Sequence, residues 1–316
     1  MPFIPRGRFA PSPTGKLHLG NARSALLGWL QARSQGGEFL LRVEDLDRAR
    51  CRPEHEANLL SDLEYLGLTW DGPLVRQSER GGAYEEALER LDRQGRLYPC
   101  FCSRAEIARA ATAPHGASDD GPRYPGTCAR LTPEERAEKA RTRRPALRFR
   151  PEPSTVTRFD DLLCGPQAQD VDAVVGDFVV RRNDGVASYQ LAVVVDDASA
   201  GVTDVLRGDD LLASTPRQLQ LIDALELPRP RHAHVPLLLG EDGKRLAKRE
   251  GALAVTDLRS MGVPAEKVIG LLASWSGLGD GEPVAAADLV ARFSLEKIPS
   301  APVIVAEPAI QTALGV

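Results

Sequence analysis

No apolar stretch in this sequence approaches the roughly 18 residues that a membrane-spanning helix needs. Residues 1–8 likewise contain no apolar run of signal-peptide length. These absences argue against a membrane protein and predict a cytoplasmic location. There is also no excess of positive charge, since 40 Lys and Arg stand against 44 Asp and Glu. Any contact with nucleic acid therefore has to come from local clusters of basic residues.

Cysteine is scarce and odd in number, with five residues in a chain of 316. An odd count without a secretion signal argues against a disulfide framework and favours reduced thiols, some of which can bind a metal. No internal repeat is present, and low complexity is confined to one loop. The length and the 42% hydrophobic content suffice for one large or two modest domains.

The first fifty residues have the pattern of a parallel α/β fold. Two prolines and a glycine keep residues 11–15 from being helical. Apolar residues then recur at helical spacing over 22–30 until two glycines end the pattern. Residues 39–43 read as a buried strand with Glu44 at its carboxyl end. This strand-loop-helix-strand opening indicates a parallel sheet.

Later segments predict further helices and short strands. Helices are expected over about 53–66, 83–94, 133 onward, 215–225, from 264 onward, and near 285–293. Strands are expected over 146–150, 155–159, 178–182, 189–195 and 235–239. The sequence Asn183-Asp184-Gly185 predicts a hairpin turn between the third and fourth of these strands. Thr132 and Glu135 predict a capping box for a helix that is polar all round and lies at the surface.

Two segments carry residues suited to phosphate chemistry. Between Pro11 and Asn21, a turn-rich loop delivers His18 to a helix N-terminus, where unpaired N–H groups and the helix dipole suit a polyphosphate. Over 200 residues later, an apolar strand and a turn precede four cationic side chains, Lys244, Arg245, Lys248 and Arg249. Taken alone, His18 is more often a surface or capping residue, and the second segment is more often a solvated basic loop.

Taken together and in this order, the two segments resemble the two ATP-binding signatures of class I aminoacyl-tRNA synthetases. The resemblance implies the Rossmann-like α/β catalytic fold of that class, with His18 and Lys248 as catalytic residues and Mg²⁺ accompanying ATP. It implies an ATP site made of Pro11, Ser12, His18, Gly20, Asn21, Arg245 and Lys248. Ala247 stands where the second signature usually has a hydroxyl residue. Such catalysis consists mainly of positioning and cationic stabilisation of phosphoryl oxygens.

A wider resemblance, carried by the segments around Arg8, Arg42 and Arg207, is to the glutamyl branch of that class. Glutamate has two carboxylates and one ammonium, so a pocket for it needs fixed cations and an anion. In the resemblance Glu44 holds the ammonium, and Arg8 and Arg207 hold the carboxylates. The implied glutamate site is Arg8, Ala10, Ser12, Glu44, Tyr189 and Arg207.

Within that branch the chain is similar to a short family, the glutamyl-queuosine tRNA(Asp) synthetases. Like them it ends soon after the second signature, and it has Val193 and Leu211 where full-length enzymes usually carry Asn and Trp. The resemblance implies activation of L-glutamate without tRNA and its transfer to queuosine at the wobble position of tRNA(Asp), by a monomer. The alternatives are a truncated glutamyl-tRNA synthetase that charges tRNA(Glu) and a non-catalytic RNA-binding paralogue.

Three cysteines, Cys100, Cys102 and Cys128, lie close enough in sequence to suit tetrahedral Zn²⁺. The short family implies Tyr124 as the fourth ligand, and His115 competes with it on chemical grounds. The zinc would be structural and would pin an insertion that faces the acceptor. We therefore expect a first catalytic half over 1–97, the zinc-bearing insertion over 98–175, a second catalytic half over 176–250 and a short helical part over 251–316.

Overall fold

The computed structural model describes residues 4–110, 123–246 and 253–315. His115, Ala247, Lys248 and Arg249 lie outside these ranges. The chain begins with a parallel α/β unit whose elements are β1 (Arg6–Phe9), α1 (Leu19–Ser34), β2 (Glu38–Val43), α2 (Pro53–Tyr65), β3 (Val75–Arg76) and α3 (Gly81–Arg93). The strand-loop-helix-strand opening predicted from the sequence is thereby confirmed.

The middle of the chain contains most of the antiparallel structure. Its elements are β4 (Leu97–Cys100), α4 (Arg104–Ala110), α5 (Pro133–Thr142), β5 (Ala146–Phe149), β6 (Val156–Asp161), β7 (Gly165–Asp170), α6 (Val171–Val174) and β8 (Phe178–Arg181). Strands β4, β5 and β8 form one antiparallel sheet. The predicted capping box of Thr132 and Glu135 begins α5, which has no buried residue and lies at the surface as expected.

The remainder of the chain returns to parallel strands and then becomes mainly helical. Its elements are α7 (Tyr189–Ser199), β9 (Asp204–Gly208), α8 (Thr215–Ala224), β10 (Arg231–Val235), β11 (Leu238–Gly240), α9 (Val255–Ser260), α10 (Ala265–Ser274), α11 (Ala286–Leu289), β12 (Val303–Val305) and α12 (Glu307–Leu314). Across the described ranges, no helix combines the length and the apolar character that crossing a membrane demands.

The parallel strands bring their carboxyl ends to one edge. Strands β1, β2 and β3 form a parallel sheet, and a second sheet has the order β7–β6–β10–β9, with β10 parallel to both β6 and β9. Strand β9 runs beside β1 in the same direction. The Thr203 N–H donates to the Arg6 carbonyl near the start of both strands, and Arg8 donates to the Leu206 carbonyl near their ends. Ligands of open α/β sheets bind at such an edge.

Helix α1 is buried along most of its length, with four leucines at most 1% exposed, Leu19, Leu26, Leu27 and Leu30. Burying each of these side chains contributes about 1.5–3 kcal/mol. The same helix buries Arg23, which donates to the Pro236 carbonyl at 2.6 Å and to Ser276 Oγ at 3.0 Å. The bond to Pro236 fixes α1, which follows the first signature, to the chain that leads into the second signature.

The prediction of a strand over 189–195 is wrong, because these residues begin α7. Ser188 caps the helix, and its hydroxyl accepts a hydrogen bond from the Leu191 N–H. The helix is buried on several sides, so its apolar run lacks the amphipathic period that would have revealed it. The turn at 183–185 does form, with Arg182 N–H donating to the Val186 carbonyl at 2.8 Å, but it leads into a helix.

The predicted strand over 235–239 is two strands. Strand β10 ends at Val235. Strand β11 begins at Leu238 and pairs with β12, outside the sheet that contains β10. Pro236 lies at the break, since proline has no N–H with which to continue a ladder.

Candidate active site

The chain that follows the second predicted ATP signature meets the first signature at the N-terminus of α1. His18 immediately precedes the helix and forms an antiparallel bridge with Ala254, which follows the second signature. Beside it, the Val255 N–H donates to the Leu17 carbonyl at 2.8 Å. Leu246, the last described residue before 247–252, is buried in the same hydrophobic core as α1. The residues that flank 247–252 therefore lie at the first signature.

The first turn of α1 is open to a ligand. His18 makes no side-chain capping bond, and its Nδ1 is buried without a hydrogen-bond partner among the residues that the structure describes. Burial lowers the pKa of His18, so the imidazole is neutral at physiological pH. A Cβ added to Gly20 would meet no atom within 4 Å. The unpaired N–H groups and positive dipole end can therefore be approached by a phosphate.

The other predicted ATP residues take different positions. Pro11 and Ser12 lie in the loop before α1, and Asn21 is exposed in its first turn. The Pro11 carbonyl accepts a hydrogen bond from the Glu44 N–H at 2.9 Å, which joins this loop to the end of β2. Arg245 Nη1 lies 2.7 Å from a carboxylate oxygen of Asp210 and so connects the second signature to the segment after β9.

The residues predicted to bind glutamate gather at the edge where the parallel strands end. Arg8 lies near the end of β1, Glu44 directly follows β2, and Arg207 lies near the end of β9. Tyr189 is the first residue of α7. Burial raises the pKa of Tyr189, and the charges of Arg207, Glu44 and Arg8 also act on it. Ala10 continues the chain directly after β1.

A chain of buried charges runs from Arg8 to Glu44. Arg8 Nε lies 3.3 Å from both carboxylate oxygens of Asp197, Arg42 Nη1 donates to Asp197 at 2.5 Å, and Arg42 Nη2 donates to Glu44 at 3.1 Å. Burial by itself would raise the pKa of Asp197, but Arg42 and Arg8 hold it below its usual range. For Glu44, burial outweighs Arg42 and raises the pKa. A ligand cation beside Glu44 would offset this cost.

Arg207 has no carboxylate partner among the described residues. Its Nη2 donates to Thr215 Oγ1 and Gln218 Oε1, both at 2.8 Å, and its Nε donates to His234 Nε2 at 3.0 Å. Its Nη1 is buried and has no hydrogen-bond partner within 4–110, 123–246 and 253–315. A buried guanidinium with one free amino group can bind a ligand carboxylate.

The sequence-based predictions did not include the side chains that hold the charged residues of this pocket in place. Arg42 lies inside an apolar strand, and Asp197 follows the apolar run that begins α7. A charge within a buried run needs a partner, and this signal could have identified both residues. His234 holds Arg207 and is itself held by Asp161, and no sequence pattern marks these two residues.

A second cluster, formed by Cys100, Cys102 and Cys128, has the geometry of a metal site. Their three sulfur atoms lie within 4.8 Å of one another, and the Sγ atoms of Cys102 and Cys128 are 3.5 Å apart. Thiolates about 2.3 Å from a tetrahedral zinc ion are about 3.8 Å apart, so the cluster fits such an ion.

Tyr124 adds an oxygen to this cluster. Its hydroxyl lies 3.4 Å from Cys100 Sγ and 3.7 Å from Cys102 Sγ. An oxygen ligand about 2.0 Å from zinc would lie about 3.5 Å from each thiolate, which is close to these distances. Arg148 stacks 3.7 Å above the Tyr124 ring and donates to Cys100 Sγ at 3.2 Å, so a cation adjoins the cluster. The competing ligand His115 is outside the described part of the chain.

Comparison with known proteins identifies the fold and its family. The model of the class I tRNA synthetase (E and Q) catalytic domain matches residues 6–305. The chain belongs to this family. Members of a class I synthetase family share the catalytic fold, and the Rossmann-like architecture predicted from the two signatures is thereby confirmed.

Relatives within the synthetase family include short and long proteins. The glutamyl-Q tRNA(Asp) synthetase of Symbiobacterium thermophilum is 56% identical over 307 residues, which cover 94% of each chain. The glutamate–tRNA ligase 2 of Alkalilimnicola ehrlichii is 47% identical over 84% of this chain and 57% of its own. The crystal structure of the glutamate-tRNA synthetase from Elizabethkingia anophelis matches with a TM-score of 0.84 and 27% identity, over 98% of this chain and 70% of that one.

In this class I synthetase the two parts of the site are neighbours. One loop joins Arg8, which lines the charged pocket, to His18 at the open end of α1. A carboxylate held in the pocket and a triphosphate held at the helix end would therefore approach each other. Bringing two reactants together in a fixed orientation is a large part of what catalysis of their reaction requires.

Proposed function

We propose that this protein uses ATP to activate L-glutamate without tRNA and then transfers glutamate to queuosine at the wobble position of tRNA(Asp). The observation that carries the proposal is the buried set of Arg8, Glu44 and Arg207 beside the open end of α1. Two cations and one anion match the two carboxylates and the ammonium of glutamate. The name of the relative that is 56% identical over 94% of both chains supports the acceptor.

In the first reaction a glutamate carboxylate oxygen attacks the α-phosphorus of ATP. The bond from that phosphorus to the bridging oxygen breaks, and the products are glutamyl-adenylate and pyrophosphate. Glu44 holds the ammonium, Arg8 and Arg207 hold the carboxylates, and His18 and Lys248 stabilise the phosphoryl charge. Mg²⁺ accompanies ATP.

In the second reaction a nucleophile of the queuosine base attacks the acyl carbon and AMP leaves. ATP and tRNA are cytoplasmic, so the proposal places the enzyme in the cytoplasm. That it acts as a monomer stays a prediction, as do the three boundaries between the four segments, at residues 97, 175 and 250.

The wild-type protein is expected to catalyse glutamate-dependent exchange of pyrophosphate into ATP in the complete absence of tRNA. The charged groups of the pocket are held by hydrogen bonds to one another, so we expect glutamate activation to need no acceptor. The measurement is incorporation of labelled pyrophosphate into ATP, with and without glutamate. Exchange that glutamate fails to stimulate would indicate a non-catalytic RNA-binding protein.

The acceptor is tested with four purified tRNA samples. Labelled glutamate should be transferred to tRNA(Asp) that contains queuosine, and not to tRNA(Asp) from cells that lack queuosine. Two preparations of tRNA(Glu), from the same queuosine-containing and queuosine-lacking cells, serve as controls and should stay unlabelled. Charging of tRNA(Glu) would support the alternative, a glutamyl-tRNA synthetase such as the relative that is 47% identical to this chain.

We further propose that Cys100, Cys102, Cys128 and Tyr124 bind one structural zinc ion. The sulfur and oxygen distances support this ligand set, and soft thiolates favour zinc over hard divalent cations. Cys100 lies at the end of β4, and Cys128 lies in the chain that returns towards α5. The ion would therefore close the loop between them.

Tyr124→Phe is expected to weaken zinc binding by roughly 10–100-fold, which is the size of effect seen when one group around a metal is lost. The variant keeps the ring that stacks on Arg148 and removes only the oxygen. Competition with a chromogenic chelator measures the affinity. Tyr98→Phe removes another buried hydroxyl, which donates to Asp177, and should leave zinc affinity unchanged. Unchanged affinity in Tyr124→Phe together with loss in His115→Ala would assign the fourth ligand to His115.

A further inference from the structure

We propose that Asp161 and His234 are positioning residues that orient the guanidinium of Arg207 for glutamate. The inference rests on the proposed function, because it takes Arg207 as a ligand of a glutamate carboxylate. The three residues come from adjacent strands, since β10 lies between β6 and β9. His234 is the register partner of Arg207 across β10 and β9. The side chains of Asp161 and His234 are both 0% exposed.

Asp161 is a fixed carboxylate. Its Oδ1 accepts hydrogen bonds from the backbone N–H groups of Leu163, Cys164 and His234 at 3.0, 2.9 and 3.1 Å. Its Oδ2 lies 2.6 Å from His234 Nδ1. Burial by itself would raise the pKa of Asp161, but the bonds from His234 and the backbone hold it well below its usual range. A buried carboxylate of this kind requires a donor at 2.6 Å, so Nδ1 carries a proton.

The position of that proton determines what His234 offers to Arg207. Burial lowers the pKa of His234, so the ring is neutral and its second nitrogen is an acceptor. Nε2 accepts the Nε–H of Arg207 at 3.0 Å and lies 3.2 Å from Thr215 Oγ1. The other tautomer of His234 would place an N–H at Nε2 against the Nε–H of Arg207. The carboxylate of Asp161 therefore fixes the acceptor that Arg207 needs.

This chain of bonds leaves one direction open for a ligand. Nε of Arg207 is held by His234, and Nη2 is held by Thr215 and Gln218. The planar guanidinium cannot rotate without breaking these bonds, so the orientation of the unpartnered Nη1 is set. All the groups that contact Arg207 through these bonds are neutral, and its charge is left for the ligand carboxylate. Such support determines how precisely a binding group is placed.

Asp161→Asn tests the inference directly. An Asn amide can donate to Nδ1, which allows the tautomer with an N–H facing Arg207. Loss of a hydrogen bond to a charged group lowers binding affinity roughly 10–100-fold. The KM for glutamate should therefore rise by about tenfold or more. The KM for ATP should stay within about twofold. Both are measured by pyrophosphate exchange without tRNA, and glutamate binding is measured separately by calorimetry.

Asp160→Asn is the matched control, because Asp160 precedes Asp161 on β6 and its side chain is exposed. It should leave both KM values unchanged. A second pair of variants covers the case in which Asp161→Asn does not fold. His234→Gln places an amide oxygen approximately at the position of Nε2, where it can still accept from Arg207, and it should keep the KM for glutamate within about threefold. His234→Leu removes both bonds and should raise that KM by about tenfold or more.

The inference is overturned if folded Asp161→Asn binds glutamate as tightly as the wild type. It is also overturned if KM rises equally for ATP and glutamate, or if His234→Gln and His234→Leu behave alike, since either result indicates a structural role. A wild-type protein that shows no glutamate binding at all would refute the proposed function instead, so the two failures are distinct. Thermal unfolding of each variant establishes that it is folded.

Discussion

Glu44→Gln is expected to reduce kcat/KM for glutamate by about 10²–10³ in tRNA-free pyrophosphate exchange, while the KM for ATP stays within about twofold. The substitution keeps the size of the side chain and removes the anion proposed to hold the substrate ammonium. That ammonium would then be buried without a counter-charge, beside two arginines. Arg42 would lose one partner but would keep Asp197 at 2.5 Å, so the fold should survive.

Glu38→Gln is the matched control. Glu38 begins the strand that Glu44 follows and pairs with Arg6 at 2.6 Å, but its side chain is 36% exposed and lies away from the carboxyl edge. It should change kcat/KM less than twofold, as is usual for an exposed pair.

The dependence on pH provides a second check on Glu44. Its pKa is raised by burial, so protonation begins at a higher pH than for an ordinary Glu side chain. The wild-type KM for glutamate should therefore rise as the pH falls, starting at a higher pH than an ordinary Glu side chain would cause, and Glu44→Gln should lack this rise. A loss of less than threefold in Glu44→Gln would show that the ammonium is bound elsewhere.

The glutamate pocket was predicted from the resemblance to the glutamyl branch, and the topology of the fold explains why its charged residues lie together. Arg8, Glu44 and Arg207 each lie where a parallel strand ends, and parallel strands end at the same edge. None of the strands predicted from the sequence ends near Arg207, so hydrophobic patterning alone could not have grouped these three residues. Asp197, which keeps Arg8 and Arg42 in place, belongs to a helix that the sequence pattern did not reveal.

Helix α7 shows why that pattern failed. Three consecutive valines, Val193, Val194 and Val195, favour a strand on intrinsic propensity. The helix forms because Ser188 caps it and because neighbouring elements bury it on several sides, and neither the burial nor the packing can be read from a local window. The error matters functionally, since α7 carries Tyr189 at its start and Asp197 near its end.

The bonds around Arg207 could not be predicted for a different reason. Asp161, Arg207 and His234 belong to three strands that are adjacent only because β10 inserts between β6 and β9. Asp161 lies within residues 98–175, the range expected for the zinc-bearing insertion. Its strand β6 nevertheless pairs with β10 in parallel, with His232 as the register partner of Asp161. Tertiary pairing of this kind leaves no local signal.

His18→Ala is expected to lower kcat for pyrophosphate exchange by about 10², the loss typical of removing one donor to a developing phosphoryl or oxyanion charge. The KM for glutamate should change little, because His18 lies at the helix end and not among Arg8, Glu44 and Arg207. His18 makes no side-chain capping bond, so its removal should leave the thermal stability of the protein nearly unchanged. Steady-state exchange kinetics at saturating glutamate measure the effect.

Two further substitutions identify the nitrogen that acts. Nδ1 of His18 is buried without a partner among the described residues, which leaves Nε2 to meet the phosphate. The amide nitrogen of Gln reaches approximately the position of Nε2, whereas that of Asn reaches approximately the position of Nδ1. His18→Gln should therefore recover part of the lost kcat, and His18→Asn should behave like His18→Ala. Because the bridge to Ala254 involves only backbone atoms, all three variants should keep Ala254 beside the start of α1. If all three retain wild-type kcat, His18 contributes only its backbone to the site, and the helix dipole together with the cations of the second signature stabilises the phosphate.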